Sequence, residues 1–256
     1  MARGPRRQRS PEKRRPTIFW LMAAIVVPFL SLMFKYEIRG RLPQTGPYIL
    51  TPNHYSDIDP IVTGYAVWKL GRLPRFMAKA SLFKIPVVGW FLRRSGQVPV
   101  ERGRSRTKAQ SMEAANQIVE MGGAVIVYPE GTLTREPEMW PMRGKTGAAR
   151  LALQGGIPVI PIATWGAQAV LPRWERKVRL RFRTRITVAV GEPIDLDEFE
   201  GRHTSKRAVD GATEKIMREI TALLEDVRGA AAPAELYNPA DHGQSEFGRP
   251  DAEPKQ

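Results

Sequence analysis

From about residue 45 to residue 228, short apolar runs alternate with stretches of helical periodicity. This alternation restricts the chain to an α/β fold, because each apolar run is too short for a helix and is bounded by turn residues. Strands are expected at 48–50, 76–78, 98–100, 124–127 and 159–163, with a basic β-rich stretch at 178–190. Helices are expected from Asp59-Pro60 to near Gly71, and at 86–94, 107–121, 144–154 and 203–228. Asp59 followed by Pro60 suits a helix start, with Asp as N-cap and Pro in the first turn. The runs apolar throughout imply strands covered on both faces, so the expected fold is a mixed, largely parallel central sheet flanked by helices.

Two segments lie outside this pattern at the amino end. Residues 1–16 carry Arg3, Arg6, Arg7, Arg9, Lys13, Arg14 and Arg15 against Glu12 alone, and read as a disordered basic arm. Residues 17–36 hold an apolar run from Ile18 to Phe34, interrupted by Pro28 and Ser31. It is short for a hydrocarbon core of about 30 Å, which wants roughly 20 residues, and Pro28 kinks or breaks a helix. No small-residue cleavage site follows it, which argues against a signal peptide. The expectation is a membrane-anchoring apolar helix lying in one leaflet; a buried core helix is the alternative. A full span would leave the basic arm inside and the main domain outside. The domain proper is expected over 37–228. Residues 229–256, rich in Ala, Pro, Gly, Asp and Glu, read as a disordered tail.

Charge narrows the partners. The net charge is +14 and the sequence pI about 10.4, which favours an anionic partner: nucleic acid, acidic lipid or a phosphorylated small molecule. The chain has no cysteine. Disulfides, thiolate metal sites and a thiol nucleophile are therefore excluded. No His/Asp/Glu group has metal-ligand spacing. Gly144-Lys145-Thr146 lacks the first glycine of a phosphate loop, since position 139 is Met. A G-x-S-x-G elbow is absent. Arg173 to Arg185 is basic but carries few aromatics and no RNA-module signature.

The candidate chemistry sits at predicted strand ends, where open α/β sheets gather ligands. There are three histidines, and His54 alone follows an apolar strand. It precedes Asp59 by five residues, about 140° apart on a regular helix. The two meet only if His54 lies on the loop and Asp59 at the helix start. A histidine accepts a proton near neutral pH, and a carboxylate beside it orients the ring and stabilises its charged form. The alternative is a capping aspartate and an unrelated loop histidine. Arg102, in the cluster Arg102, Arg104, Arg106, suits a phosphate or is a solvated loop cation. Glu130-Gly131 leaves a buried strand in a tight turn. Lys145 opens a helix, where backbone N–H groups favour anions. Lys79 lies just past a predicted strand.

In order and spacing, four segments resemble the glycerolipid acyltransferase family, whose best-known members are lysophosphatidic acid acyltransferases. His54 and Asp59 match its H-x4-D motif. Gly96 to Arg102 resembles the second motif, which ends in a substrate-binding Arg. Pro129-Glu130-Gly131-Thr132 matches the P-E-G-T core of the third, and Ile157 to Pro161 looks like the fourth. The match covers roughly 38–195. It implies an O-acyltransferase with His54 as general base and Asp59 as its orienting partner. Gly96, Arg102, Glu130, Gly131 and Thr132 then bind substrate, with Lys79 and Lys145 as further candidates; Glu130 orients Arg102 or a substrate hydroxyl. The substrates implied are lysophosphatidate and a thioester donor, acyl-CoA or acyl carrier protein, with no cofactor and no metal. Anionic membrane lipids are the expected partners, nucleic acid is not, and the expected place is the cytoplasmic face of the cell membrane. Leu133 stands where the family often has a polar residue, so a different acceptor (glycerol-3-phosphate, another lysophospholipid or a glycolipid) remains open; Arg135 is the nearest replacement charge. A non-catalytic basic protein binding nucleic acid or membrane surfaces accounts for the charge but not for these motifs.

Overall fold

The computed structural model describes residues 10–14, 17–100, 108–175, 177–179 and 182–245. Seven strands among them form one sheet: β1 (Phe34–Arg39), β2 (Tyr48–Pro52), β3 (Arg75–Lys79), β4 (Val98–Val100), β5 (Ala124–Ile126), β6 (Val159–Trp165) and β7 (Thr184–Val190). Their order is β1-β7-β6-β2-β5-β3-β4. All neighbours pair parallel except β6 and β7. The sheet is therefore mixed, with β1 and β7 running against the other five.

The apolar runs behave as strands buried on both faces. Along β2, Tyr48 and Leu50 enter one core while Ile49 enters the other. Along β5, Ala124 and Ile126 face the first core and Val125 the second. The helices are α1 (Pro11–Arg14), α2 (Ile18–Met33), α3 (Asp59–Lys69), α4 (Pro86–Arg94), α5 (Lys108–Met121), α6 (Gly147–Gly155) and α7 (Lys206–Arg228). Leu30 of α2 and Val62, Tyr65, Ala66 and Val67 of α3 cover the first face. Ala115 and Ile118 of α5, Leu151 of α6, and Ile216 and Ile220 of α7 cover the second.

Three expectations are corrected here. The β-rich stretch at 178–190 is a strand only over Thr184–Val190; Val178 and Phe182 are exposed and Arg183 has a left-handed φ of 58°. β1 was expected as the end of an apolar helix, yet Phe34, Tyr36 and Ile38 pack on the first core at every second position. The tail is ordered over 229–245: Ala232 donates to Glu225 at 2.7 Å, and Tyr237 accepts the N–H of Arg143 at 2.8 Å. The rest of the expected tail lies outside the described residues.

The amino end also departs from expectation. Residues 10–14 of the basic arm dock at the amino-terminal edge of the sheet. Glu12 bridges Arg72 (2.7 Å) and Arg75 (2.5 Å), and Arg72, fully buried, also donates to Pro43, Gly46 and Gly122 carbonyls. Residues 1–9 and 15–16 lie outside the described residues. The apolar helix α2 runs unbroken through Pro28. Its 16 residues span about 24 Å. Among the described residues no helix is long and apolar enough to cross a membrane. One flank packs on α3, through Trp20 against Trp68 and Ser31 against the Tyr65 hydroxyl at 2.8 Å. The other flank exposes Leu21, Ile25, Phe29 and Leu32. Neither a spanning segment nor a wholly buried core helix describes it.

Candidate active site

The carboxyl ends of β2, β3, β5 and β6 share one edge of the sheet, and the H-x4-D loop leaves β2 there. Asn53 locks the exit: its side-chain oxygen accepts Thr164 N–H at 2.7 Å and its amide donates to the Thr164 carbonyl at 3.1 Å. This side chain extends the β2–β6 pairing by one residue. The backbone of His54 is held by the other loop: its N–H donates to Glu130 Oε1 at 2.9 Å and its carbonyl accepts Thr134 N–H at 2.6 Å.

The chain then wraps around the Asp59 carboxylate. Asp59 Oδ2 accepts the N–H of Tyr55 at 2.7 Å and of Ser56 at 2.8 Å, and lies 3.0 Å from His54 Nδ1. The helix N-cap is Ile58, with no side-chain cap bond. Asp59 therefore does not cap α3; its carboxylate points back into the loop and meets the imidazole. Ser56 closes the turn by donating to Leu171 O at 2.6 Å.

Asp59 has no exposure and the His54 side chain 17%, so of the pair only the imidazole can meet an incoming molecule. Burial pushes the Asp59 carboxyl up, while the His54 ring and the two backbone N–H groups pull it back towards ionisation. An ionised carboxylate can only accept. Against an ionised Asp59, Nδ1 carries the proton and Nε2 presents its lone pair as a base. Tyr128 stacks at a tilt on the imidazole, ring centres 4.3 Å apart, and its hydroxyl donates to Thr63 of α3 at 3.2 Å. Trp165 meets Tyr55 edge-on at 5.4 Å. These side chains fix the ring's environment.

Glu130 differs from its expected substrate role. It is fully buried, and its second oxygen accepts Met142 N–H at 3.1 Å. Burial pushes its carboxyl up to about 8, against the pull of the Met142 and His54 amides. With one oxygen on His54 N–H and the other on Met142 N–H, it braces the His54 loop. Gly131 is exposed with φ 70°; a Cβ there would lie 3.0 Å from the Lys145 stem. Thr132 is half-buried and Leu133 buried. Arg135 is buried too, near the Trp174 ring. The Lys145 N–H donates to Pro129 O at 2.7 Å, which brings that loop beneath Glu130. A groove of about 1520 Å³ opens there between the 142–146 loop and the first turns of α7; Glu130, Lys145, Arg202 and Arg207 line it, and His54 and Asp59 do not.

Gly96 is not part of this assembly. Its φ is 66°, and a Cβ there would lie 3.0 Å from Arg75 Nε, at the opposite edge of the sheet. It serves the turn into β4. Lys79 ends β3, in register with Val100 of β4. Arg102 lies outside the described residues. Among the described residues, no group of three or more His, Asp or Glu side chains could hold a metal ion. Asn53, Tyr128, Thr134 and Trp165 were given no role by the sequence reading.

A family model described as Acyltransferase matches residues 34–165. The chloroplastic 1-acyl-sn-glycerol-3-phosphate acyltransferase BAT2 of Brassica napus is 32% identical over 142 residues, covering 54% of this chain and 40% of that protein. The 1-acyl-sn-glycerol-3-phosphate acyltransferase of Saccharomyces cerevisiae is 32% identical over 216 residues, covering 81% of this chain and 66% of that protein. The chain thus matches less than two thirds of the length of either relative. Among solved structures, the 1-acyl-sn-glycerophosphate (LPA) acyltransferase PlsC from Thermotoga maritima superposes with a TM-score of 0.61 at 22% identity, over 88% of this chain and 86% of that one. At that identity the likeness is one of fold.

Proposed function

The chain belongs to the acyltransferase family, and on that footing we propose that it moves an acyl group from acyl-CoA or acyl carrier protein to the free hydroxyl of 1-acylglycerol-3-phosphate, giving phosphatidic acid. One observation carries this reading: His54 Nδ1 is tied to the buried Asp59 carboxylate at 3.0 Å while the His54 side chain keeps 17% exposure. Nε2 takes the hydroxyl proton as the alcohol oxygen attacks the thioester carbonyl. Asp59 stabilises the imidazolium as it forms. The tetrahedral intermediate collapses, the C–S bond breaks, and the departing sulfur takes the proton back from Nε2. No acyl-enzyme is required, in keeping with a chain that has no cysteine. General-base assistance is typically worth about 10² to 10⁴ in rate. Positioning both substrates adds up to about 7–11 kcal/mol, and Arg102 is the family-matched residue for the acceptor phosphate.

The buried Leu133 favours a second reading of the acceptor. A leucine facing the interior offers no polar contact at a position where the family often has one, so another lysophospholipid, glycerol-3-phosphate or a glycolipid is the alternative. Turnover on a lysolipid panel with one acyl-CoA separates the two.

The place of action proposed is the cytoplasmic face of the cell membrane, with α2 lying in the interface. Support comes from the exposed stripe Leu21, Ile25, Phe29 and Leu32, spaced to share one side of a helix, and from the net charge of +14. Each well-placed cation near an anionic leaflet contributes about 1 kcal/mol. The test of function is thiol release from acyl-CoA in the presence of lysophosphatidate, with identification of the product. Absence of thiol release with every lysolipid overturns the proposal.

A further inference from the structure

The connection from β3 to β4 contains a helix that the core does not use. In α4 the only buried residue is Gly89. A Cβ on Gly89 would lie 2.1 Å from Phe83 O, so glycine lets α4 seat on the 3-10 turn Ala80–Lys84 instead of on the sheet. Arg93 secures the unit by donating to Phe83 O at 2.7 Å. Its apolar side chains project outward: Val87 is 79% exposed and Trp90 56%, with Leu82, Ile85 and Val88 exposed beside them. Clustered exposure of this kind marks a contact surface.

Charge identifies what it contacts. From Ile61 to Val100 the sequence has no Asp or Glu, while Lys84, Arg93 and Arg94 fringe the apolar residues and are exposed. Apolar and aromatic residues edged by cations suit the boundary between head groups and acyl chains of an anionic bilayer. Position agrees. The β3–α4–β4 connection moves along the sheet in the same direction as β2–α3–β3, and parallel crossovers are right-handed. Both helices then lie on one side, the side where α2 exposes its apolar stripe.

We propose that the 80–94 unit is a second membrane-contacting element, entering an anionic leaflet through Val87 and Trp90 with Lys84, Arg93 and Arg94 on its head groups. It extends the interfacial reading of α2 given under Proposed function. Two contacts at separate strands orient the sheet on the bilayer, where one helix would leave it free to tilt.

Because the chain has no cysteine, Val87→Cys can carry a single environment-sensitive fluorophore on the full-length protein. On vesicles of phosphatidylcholine and phosphatidylglycerol its emission shifts to the blue. The same label at Glu113→Cys, an exposed position on α5 across the sheet, does not shift. The double variant Val87→Asp, Trp90→Glu reduces vesicle partitioning at least about tenfold, with unchanged turnover on a dispersed short-chain lysolipid. An unshifted spectrum at position 87, or equal shifts at both positions, overturns the proposal. So does a wild-type dimer that the double variant converts to monomer, because the occupant is then a second copy of this chain. The fluorescence signal does not depend on turnover, so its failure leaves acyl transfer standing, and a labelled protein that binds but never turns over sinks acyl transfer alone.

Discussion

Glu130 Oε1 accepts the backbone N–H of His54 at 2.9 Å, so the P-E-G-T turn acts on the H-x4-D loop from behind. The glutamate is a positioning residue whose other oxygen is already taken by Met142 N–H. Its removal leaves two buried amides facing each other's vacancy.

Replacing Glu130 with Gln keeps the shape but turns one acceptor into a donor against an N–H. A lost buried bond costs about 1–3 kcal/mol. The urea midpoint is expected to fall accordingly. Turnover should drop more than KM rises, because the displaced group is the His54 backbone. Unchanged turnover in a destabilised variant would limit Glu130 to stability.

The same carboxyl makes stability depend on pH. Its folded pKa of about 8 lies above the ordinary value of 4.5 for the group, so folding takes up a proton. The stabilising contribution is complete below about 4.5 and is lost as pH rises through about 8. Denaturation midpoints between pH 5 and 9 should fall more steeply for the parent protein than for Glu130→Gln, which cannot titrate there.

His54→Ala removes the base and leaves Asp59 with its two amide donors. Thiol release is expected to fall about 10² to 10⁴-fold, with the thermal transition and vesicle binding retained. Near-normal turnover by the purified variant would end the general-base assignment.

Asp59→Asn tests the partner. The amide can still accept from Tyr55 and Ser56, but it cannot compensate an imidazolium, and it permits the wrong ring tautomer. Loss of turnover of about 10³ to 10⁴-fold is expected with a modest stability change. The readout is single-turnover thiol release beside a calorimetric scan.

Glu12→Gln separates stability from chemistry. Glu12 is the carboxylate paired with Arg72, whose side chain is 1% exposed, at the sheet edge opposite His54. Arg72 keeps three carbonyl acceptors, so the loss is about 2–3 kcal/mol in a urea titration. Activity per folded molecule should be unchanged.

Much of the fold was legible in advance, and for a definite reason. Runs such as Ile49–Leu50, Val125–Ile126 and Val159–Ile160 are apolar at every position because both faces of the sheet are covered, and that pattern is local. β1 was hidden because Phe34 continues the apolar run of α2 without a break, though Phe34, Tyr36 and Ile38 alternate. The tail at 229–245 looked disordered because it is held by scattered contacts, Tyr237 O to Arg143 N, Ala232 N to the Glu225 carboxylate and Leu236 on the second core, which composition does not encode.

By itself, the order of residues determined an α/β sheet, the elements of its main domain, and a histidine and an aspartate able to meet only across a loop-to-helix boundary. Tertiary structure alone decided that they do meet. It turned Asp59 away from the helix end and into the loop, made Glu130 a buried brace behind His54, and sent Gly96 to the far edge. The reason is that a residue's type and spacing limit which bonds it can make, while the direction of its side chain depends on neighbours such as Thr164, Met142 and Arg75, some of them more than a hundred positions away in the chain.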